Sequence, residues 1–422
     1  MNKIIFSIVV ITLSVSFAVA QKISADEQKI ISYIDANTEN AISLLEKTVN
    51  IESPTEDIQG VKNVGMVYKK EFDSIGFTTK WIEMPIEMKR GGHFFAETKG
   101  TKGKRLLLLG HIDTVLRGEK FKRDGKIAYG TGSSDMKVGN VVLFYALKAL
   151  YASGALKDTQ IIVLLTGDEE NSGDPVEISR GDMISLAKRS DLALSFENGG
   201  GNIATVARRG ASSWVLEVNA KTGHSSRIFN ESMGNGSIFE ASRILTEFYN
   251  TLRNEKYLTF NPSLFSGGTE LQITDQSISA SGKTNVVPAR TIVRGDLRFI
   301  SEEQKEMARA KMREIVAKSL SGTSAKIEFF DGIPAMSPRE ENYALLKQLN
   351  KVSQDLNFGK IEAQDPGERG AGDISYIANI IPGLDGLGGT GGKAHAKGEF
   401  ADLDTLPRQI KRTALLIYRL TR

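Results

Sequence analysis

An acidic triplet at the end of an apolar run calls for a chemical explanation. In LLTGDEENSG, Leu164 to Gly173, the run passes into Asp168, Glu169 and Glu170. A solvated turn would account for them. A bound cation would too, because an ion inverts the local cost of gathering like charges. The other donors are few: His93, His111, His224 and His395 are the chain's 4 histidines, and there is no cysteine. A metal site would therefore be built from imidazole and carboxylate, both of which zinc accepts. His111 stands in GHIDT, where Asp113 can take the second ring N–H and fix the tautomer. Asp135 stands in the glycine- and serine-rich loop YGTGSSDMKVG, as a ligand or as an N-cap. Glu197 follows the apolar run of DLALSFENGGG, and His395 lies in GGTGGKAHAKGEF, whose glycines let backbone close around a site. His93, in RGGHFF, has no such context and reads as an ordinary core or surface histidine.

Elements must bring these residues together. RLLLLGHIDTV (105–115), IIVLLTGDEE (161–170) and DLALSFENGGG (191–201) are solid apolar runs of strand length, as expected for strands buried on both faces of a parallel sheet. Between the first two, KVGNVVLFYALKALYASGA (137–155) has a helical pattern ending near Gly154. Strand, helix, strand marks an α/β layer, and ligands bind such sheets beyond the carboxyl ends of the strands. His111 with Asp113, the acidic triplet and Glu197 all fall there. Earlier, Asp26–Glu52 and Val61–Ile75 carry apolar residues at helical spacing.

Around Arg208 the pattern changes. Ser212–Ala220 and Thr291–Ile300 alternate like half-exposed strands, and SAKIEFF (324–330) is another strand. A helix is expected at about Asn235–Leu252, and a second opens on the capping-box sequence Ser301-Glu302-Glu303-Gln304 and runs to about Leu320. The order β-α-β-β-α-β is that of a ferredoxin-like sandwich. After Gly332-Ile333-Pro334 the α/β character returns, ending in a helix from about Pro407. The expected fold is thus α/β, with an α+β domain, residues 210–331, inserted between a first part at 21–209 and a second at 332–422.

At 422 residues the chain is too long for one ordinary core, and a net charge of +3 makes no case for nucleic acid or an acidic surface as partner. The first residues, MNKIIFSIVVITLSVSFAVAQK, place one lysine before an apolar stretch closing on Ala18-Val19-Ala20. Residues 1–20 read as a signal peptide cleaved after Ala20, with an uncleaved anchor as the alternative. The expected location is periplasmic or secreted, without stable membrane association after cleavage.

Taken together, GHIDTV, GSSDMKVG, TGDEE, a glutamate after a strand and a late histidine in a glycine loop resemble, in order and spacing, the dinuclear zinc exopeptidases. That family includes bacterial glutamate carboxypeptidases, aminoacylase and succinyl-diaminopimelate desuccinylase. The resemblance covers essentially the whole chain after the leader. It implies a zinc-exopeptidase-like catalytic domain with a mainly parallel sheet, an inserted lid and dimerisation domain, and two Zn2+. Asp135 would bridge both ions, His111 and Glu197 would complete one, and Glu170 and His395 the other. Glu169 would be the general base beside a hydroxide held between the ions, with Asp113 behind His111.

In the inserted domain, Lys221-Thr222-Gly223-His224 resembles the family's lid segment, whose histidine stabilises the oxyanion and usually comes from the partner subunit of a homodimer. A turn histidine is the alternative. Thr284-Asn285-Val286-Val287-Pro288 resembles a segment whose asparagine contacts substrate, and Arg298 matches an arginine that grips a substrate carboxylate, the alternative being a surface strand arginine. Arg369-Gly370-Ala371-Gly372-Asp373 resembles the loop at the substrate's free carboxylate, with Ala371 and Gly372 in contact and Asp373 as a helix cap. Val138-Gly139 where the family commonly has two glycines, Thr131 where it often has arginine, and Asn171-Ser172 before the next glycine are departures that bear on pocket shape. The resemblance, closest to the bacterial glutamate carboxypeptidases, implies hydrolysis of an amide next to a free carboxylate, in a small peptide or N-acyl amino acid. An N-acyl-amino-acid deacylase, a di- or tripeptidase, or an exported metal- or peptide-binding protein without turnover are the alternatives.

Overall fold

The computed structural model describes residues 23–422, so the expected signal peptide and its cleavage site lie outside the described residues. Among the described residues no helix is long and apolar enough to cross a membrane. The first helix, Ala25–Ala36, opens on a capping box between Ser24 and Glu27. Helical spacing alone predicts one helix from Asp26 to Glu52. Instead the helix stops at Asn37, whose side chain donates back to Tyr33 O at 2.8 Å, and a second helix runs Thr38–Val49. Asparagine competes for backbone groups in this way, which makes it a helix boundary rather than an interior residue.

The central sheet has 6 strands in the order Thr78–Ile82, His93–Glu97, Thr159–Thr166, Lys102–His111, Leu192–Ser195 and Gly383–Leu384. The Lys102–His111 strand is parallel to both of its neighbours, and Gly383–Leu384 continues the parallel arrangement. The first two strands run antiparallel at one edge. The solid apolar runs behave as expected. Leu106 and Leu108 enter one buried cluster with Ile161, Val163, Leu192 and Leu194, beneath the helices Val138–Ala152 and Leu406–Leu420. Leu107 and Leu109 point the other way, joining Ile162, Leu164 and Ala193 against the Gly181–Ala187 helix and the segment around Ile374–Ile381. Alternate residues of a strand face opposite sides, so a strand sandwiched between helices must be apolar throughout.

The chain leaves this sheet beside the point where it returns, with Arg208 and Met336 exchanging backbone hydrogen bonds of 2.9 and 3.0 Å. Between them lies a second, 4-stranded antiparallel sheet in the order Thr259–Gly268, Arg290–Phe299, Gly210–Ala220, Thr323–Asp331. Its inward residues Trp214, Leu216, Val218, Val293 and Leu297 bury against Phe248 and Met312 of the helices Ser237–Leu252 and Glu302–Val316. The β-α-β-β-α-β order holds, with one addition: a hairpin of Glu270–Ile273 and Ile278–Ser281 between the second and third strands. The second helix starts on its Ser301 cap as expected but ends at Val316.

Leu108 is fully buried in the middle of the central strand. Leu108→Ala is expected to destabilise the protein by about 2–5 kcal/mol, read as a lower urea midpoint. An unchanged midpoint would mean that the helical layer does not close over this strand.

Candidate metal centre

The register of the central sheet sets the geometry. His111 is paired with Thr166, and Leu109 with Ser195, so the three strands end side by side. His111 ends its strand fully inside the protein, and Asn140 donates to its carbonyl at 2.6 Å. Its Nδ1 lies 3.3 Å from Asp113 Oδ1 and its Nε2 3.1 Å from Asp135 Oδ1, with Glu197 Oε1 3.6 Å away. The other oxygen of Asp135, Oδ2, lies 3.2 Å from His395 Nε2, which is also 3.1 Å from Glu170 Oε2. One carboxylate thus faces a histidine with each oxygen. His395 adopts φ 61°, in its glycine-rich loop, and its side chain is about half exposed.

Asp113 has a second task that its spacing from His111 does not reveal. It accepts the backbone N–H of Glu169 at 3.2 Å and of Glu170 at 3.1 Å, together with the Thr55 hydroxyl at 2.7 Å. The carboxylate behind the histidine therefore also fixes the turn that carries both glutamates.

Without a cation this cluster holds protons. Burial would lower the affinity of His111 for its proton, but the carboxylates of Asp113 and Asp135 raise its pKa well above the usual value. The hydrogen bond to Asp135 pushes His395 up to about 9. Burial pushes Glu170 up to about 8 and Glu197 up to about 7, and burial with the nearby Glu197 charge raises Glu169 well above the usual range. Asp135 goes the other way: burial opposes ionisation, but His111 and His395 hold its pKa down. The donor set also fits a metal. Ligand atoms of His111, Asp135 and Glu170 lie within 4.8 Å of one another, as do those of His111, Glu169 and Glu197. Glu170 Oε1 is buried with no hydrogen-bond partner, a lone pair left for a ligand. Proximity alone gives Glu169 the same standing as Glu197; the two differ in that Glu197 lies against His111.

The third member of the triplet is not part of this centre. Asp168 is buried and pairs with Arg180 at 2.6 Å, while accepting from Gly173 N at 2.8 Å and the Ser179 hydroxyl at 2.6 Å. Arg180 also reaches Asp373 at 2.8 Å, and Asp373 accepts from the Thr166 hydroxyl at 2.6 Å. The cation that neutralises Asp168 is thus an arginine. Asp373 does begin a short 3-10 turn, but its carboxylate belongs to this network. Nothing in the local context of Arg180 marks it as a partner of residues so far along the chain, and the sequence pattern does not single it out. His93 is the core histidine expected: its Nε2 lies 2.9 Å from Ser179 O and its Nδ1 accepts from Gly167 N at 3.2 Å.

The remaining candidates divide between the two sheets. Ala371 O accepts from Arg208 Nη1 at 2.7 Å, and a Cβ on Gly372 would lie 2.4 Å from the same nitrogen, so a larger residue there would displace the guanidinium. Arg208 itself is buried against Asp385. Beside it, Arg369 donates to Asn198 at 2.8 Å, while its Nε is buried with no partner. In the antiparallel domain His224 and Asn285 share one edge, where Ser225 N donates to Asn285 O at 2.9 Å and His224 bridges Val286. Arg298 pairs with Asp296 at 3.0 Å and is partly exposed. Among the described hydrogen bonds and ion pairs, none joins His224, Asn285 or Arg298 to the histidine and carboxylate cluster.

Comparison with known proteins follows the same outline. Residues 107–419 match the profile of Peptidase family M20/M25/M40. The chain is 28% identical over 386 residues to carboxypeptidase G2 of Pseudomonas sp. (strain RS-16), covering 89% of this chain and 88% of that one. It is 26% identical over 327 residues to succinyl-diaminopimelate desuccinylase of Bordetella avium (strain 197N), covering 73% and 81% respectively. Among solved structures, aminopeptidase PepT from Bacillus cereus ATCC 10987 superposes with TM-score 0.72 at 18% identity, over 92% of this chain and 99% of that one. The YXEP protein of Bacillus subtilis, a dinuclear metal binding peptidase of family M20, has TM-score 0.62 at 13% identity, over 92% and 99%.

Protons and metal compete for the same lone pairs. Glu170, raised to about 8, and His395, raised to about 9, must both release protons before they can bind a cation. The affinity of chelator-stripped protein for Zn2+ is therefore expected to rise steeply between about pH 6 and pH 9, with proton release visible in buffer-dependent binding heats. A pH-independent affinity would mean that other groups hold the ion.

Proposed function

The chain belongs to peptidase family M20/M25/M40, a hydrolase family, and from that premise we propose that it is a two-zinc exopeptidase cleaving an amide next to a free carboxylate, most like a glutamate carboxypeptidase. The observation that carries this reading is Asp135, whose two oxygens face His111 and His395 separately. His111, Asp135 and Glu197 would hold one ion, and Asp135, Glu170 and His395 the other. Bound there, zinc supplies Lewis acidity and lowers the pKa of water to about 7.

The chain's own residues do the rest. Asp113 faces His111 Nδ1, so that Nε2 turns to the site, and the same carboxylate holds the backbone of Glu169 and Glu170. Glu169 takes a proton from the attacking water and passes it to the leaving amine. Burial and the nearby Glu197 charge raise its affinity for a proton when no cation is bound. Arg369, a partly buried arginine whose Nε lacks a partner, supports recognition of a substrate carboxylate in the loop with Ala371 and Gly372. His224 and Asn285, on one edge of the inserted domain, serve the oxyanion and the substrate, with Arg298 as a further carboxylate contact.

In this reading residues 210–331 form a lid and the protein is a homodimer. Exposed Phe229 and Phe239, with ring centroids 5.4 Å apart, and exposed Leu264 and Phe265 on the Thr259–Gly268 edge strand support a partner on that domain. The leader sequence supports a periplasmic or secreted location. The relationship to succinyl-diaminopimelate desuccinylase favours a second reading, an N-acyl-amino-acid deacylase using the same groups.

The zinc-loaded mature protein should release free amino acid from a panel of N-acyl amino acids and dipeptides, the best substrate separating carboxypeptidase from deacylase. Glu169→Gln is expected to retain zinc and lose at least about 100-fold in turnover. Loss of zinc instead would exchange the roles of Glu169 and a ligand, and no release across the panel by fully loaded protein would leave a binding protein. Arg369→Ala should raise KM about tenfold or more for substrates ending in a carboxylate and leave the C-terminal amide analogues unchanged. Equal use of acid and amide by the unmodified protein would remove the carboxylate requirement.

A further inference from the structure

Glu399 is a carboxylate with no cation. It is 4% exposed, it accepts the backbone N–H of Asp135 in the anionic centre, and among the described ion pairs none includes it. The nearest buried amine, Lys137, turns elsewhere, donating to Thr48 O at 3.1 Å and Ile51 O at 2.9 Å. A buried charge without a counter-ion is costly unless hydrogen bonds replace its water. Here backbone amides do so: Glu399 Oε2 accepts Gly132 N–H at 2.7 Å, and Oε1 accepts both Ser134 N–H and Asp135 N–H at 2.8 Å. The main chain adds another tie, since Gly130 N donates to Glu399 O at 3.0 Å.

The amides belong to the loop that carries Asp135, and Glu399 follows His395 in its glycine-rich loop. Strand pairing brings the two loops together, with Phe400 opposite Tyr129 on one side and Gly392 on the other. The loop conformation leaves little alternative: Gly132 adopts φ 75°, and a Cβ there would lie 2.6 Å from Thr114 Cγ2. We propose that Glu399 is a positioning residue that locks the backbone of Asp135 to the His395 loop, so that the two oxygens of Asp135 face His111 and His395 at once. The proposal rests on the two-metal reading above. It assigns Glu399 no contact with substrate or metal.

Glutamine cannot replace this carboxylate. It has one acceptor oxygen, and its NH2 group would stand against an amide N–H, leaving a donor facing a donor. The half of the site that depends on the join contains His395, which is half exposed. The half that contains His111 is buried and held by Asp113 and Asn140. Glu399→Gln should therefore weaken the second metal ion by about 10- to 100-fold while the first binds nearly as before.

The experiment is a metal titration of unmodified protein, Glu399→Gln and Glu119→Ala, with Zn2+ by calorimetry and with Co2+ by its visible absorption. Glu119→Ala is the control, because it removes a neighbouring exposed contact to Gly398 N–H, 2.7 Å long, and leaves the three amides alone. The expected result is two ions with unaltered affinity in the control, and in Glu399→Gln a weakened second ion whose Co2+ spectrum is changed while the first is preserved. Two ions at the original affinity and spectrum in Glu399→Gln would overturn the proposal, as would equal weakening in the control. If the unmodified protein itself takes only one ion, it is the two-metal reading that fails. Amide exchange covers the case in which the variant does not fold: in metal-free unmodified protein Gly132, Ser134 and Asp135 should exchange slowly although they lie in a loop. Fast exchange there would overturn the proposal without recourse to any variant.

Discussion

Like charges at the end of a parallel sheet are the constraint on which the rest of this structure depends. Asp113, Asp135, Glu169, Glu170 and Glu197 meet two histidines in a space that is deeply buried at His111 and open to solvent at His395. In such surroundings each added negative charge raises the proton affinity of the others. Direction of shift separates the members of the cluster: Glu169, Glu170 and Glu197 are pushed up, while Asp135, lying between two imidazoles, is held down. The charge of the cluster can therefore be balanced by protons or, in the proposed reading, by a cation.

The fold meets that constraint by giving each carboxylate a different neighbour. Asp168 is neutralised by Arg180 and withdrawn from the centre. Asp113 is satisfied by a hydroxyl, two amides and the His111 ring, and so ties that ring to the turn of Glu169 and Glu170. Glu399 is satisfied by three amides of the Asp135 loop. What remains with lone pairs to spare is the set facing His111 and His395. Adjacent residues with the same side chain thus come to do different work, because neighbours in sequence along a turn face different surroundings.

Much of this arrangement is legible in the residues themselves. The solid apolar runs give parallel strands because both faces of such strands are covered, and a strand's end is where polar residues can reappear. The ligand candidates stand out because the chain has so few histidines, with His111 two residues before Asp113 and His395 in a glycine-rich loop. The departures are equally physical. Helical spacing predicts one long N-terminal helix where Asn37 makes two, and the hairpin at Glu270–Ser281 is an addition to the expected strand order. Arg180, Arg208 and Glu399 carry no local signal because their partners lie between 12 and 267 residues away, and a charge whose partner is distant looks like any surface charge.

The sequence by itself determined the class of fold, the chemistry of the donors and their arrival at one sheet edge, since hydrophobic periodicity and residue type are local properties. Only the tertiary structure decided which carboxylate neutralises which cation. It turned Asp168 into half of a buried ion pair, gave Asp113 its hold on the Glu169–Glu170 turn and joined the Asp135 loop to the His395 loop through Glu399. Pairing of this kind depends on distances between segments far apart in the chain, and side-chain charge acts over a few ångströms in space without regard to separation in sequence.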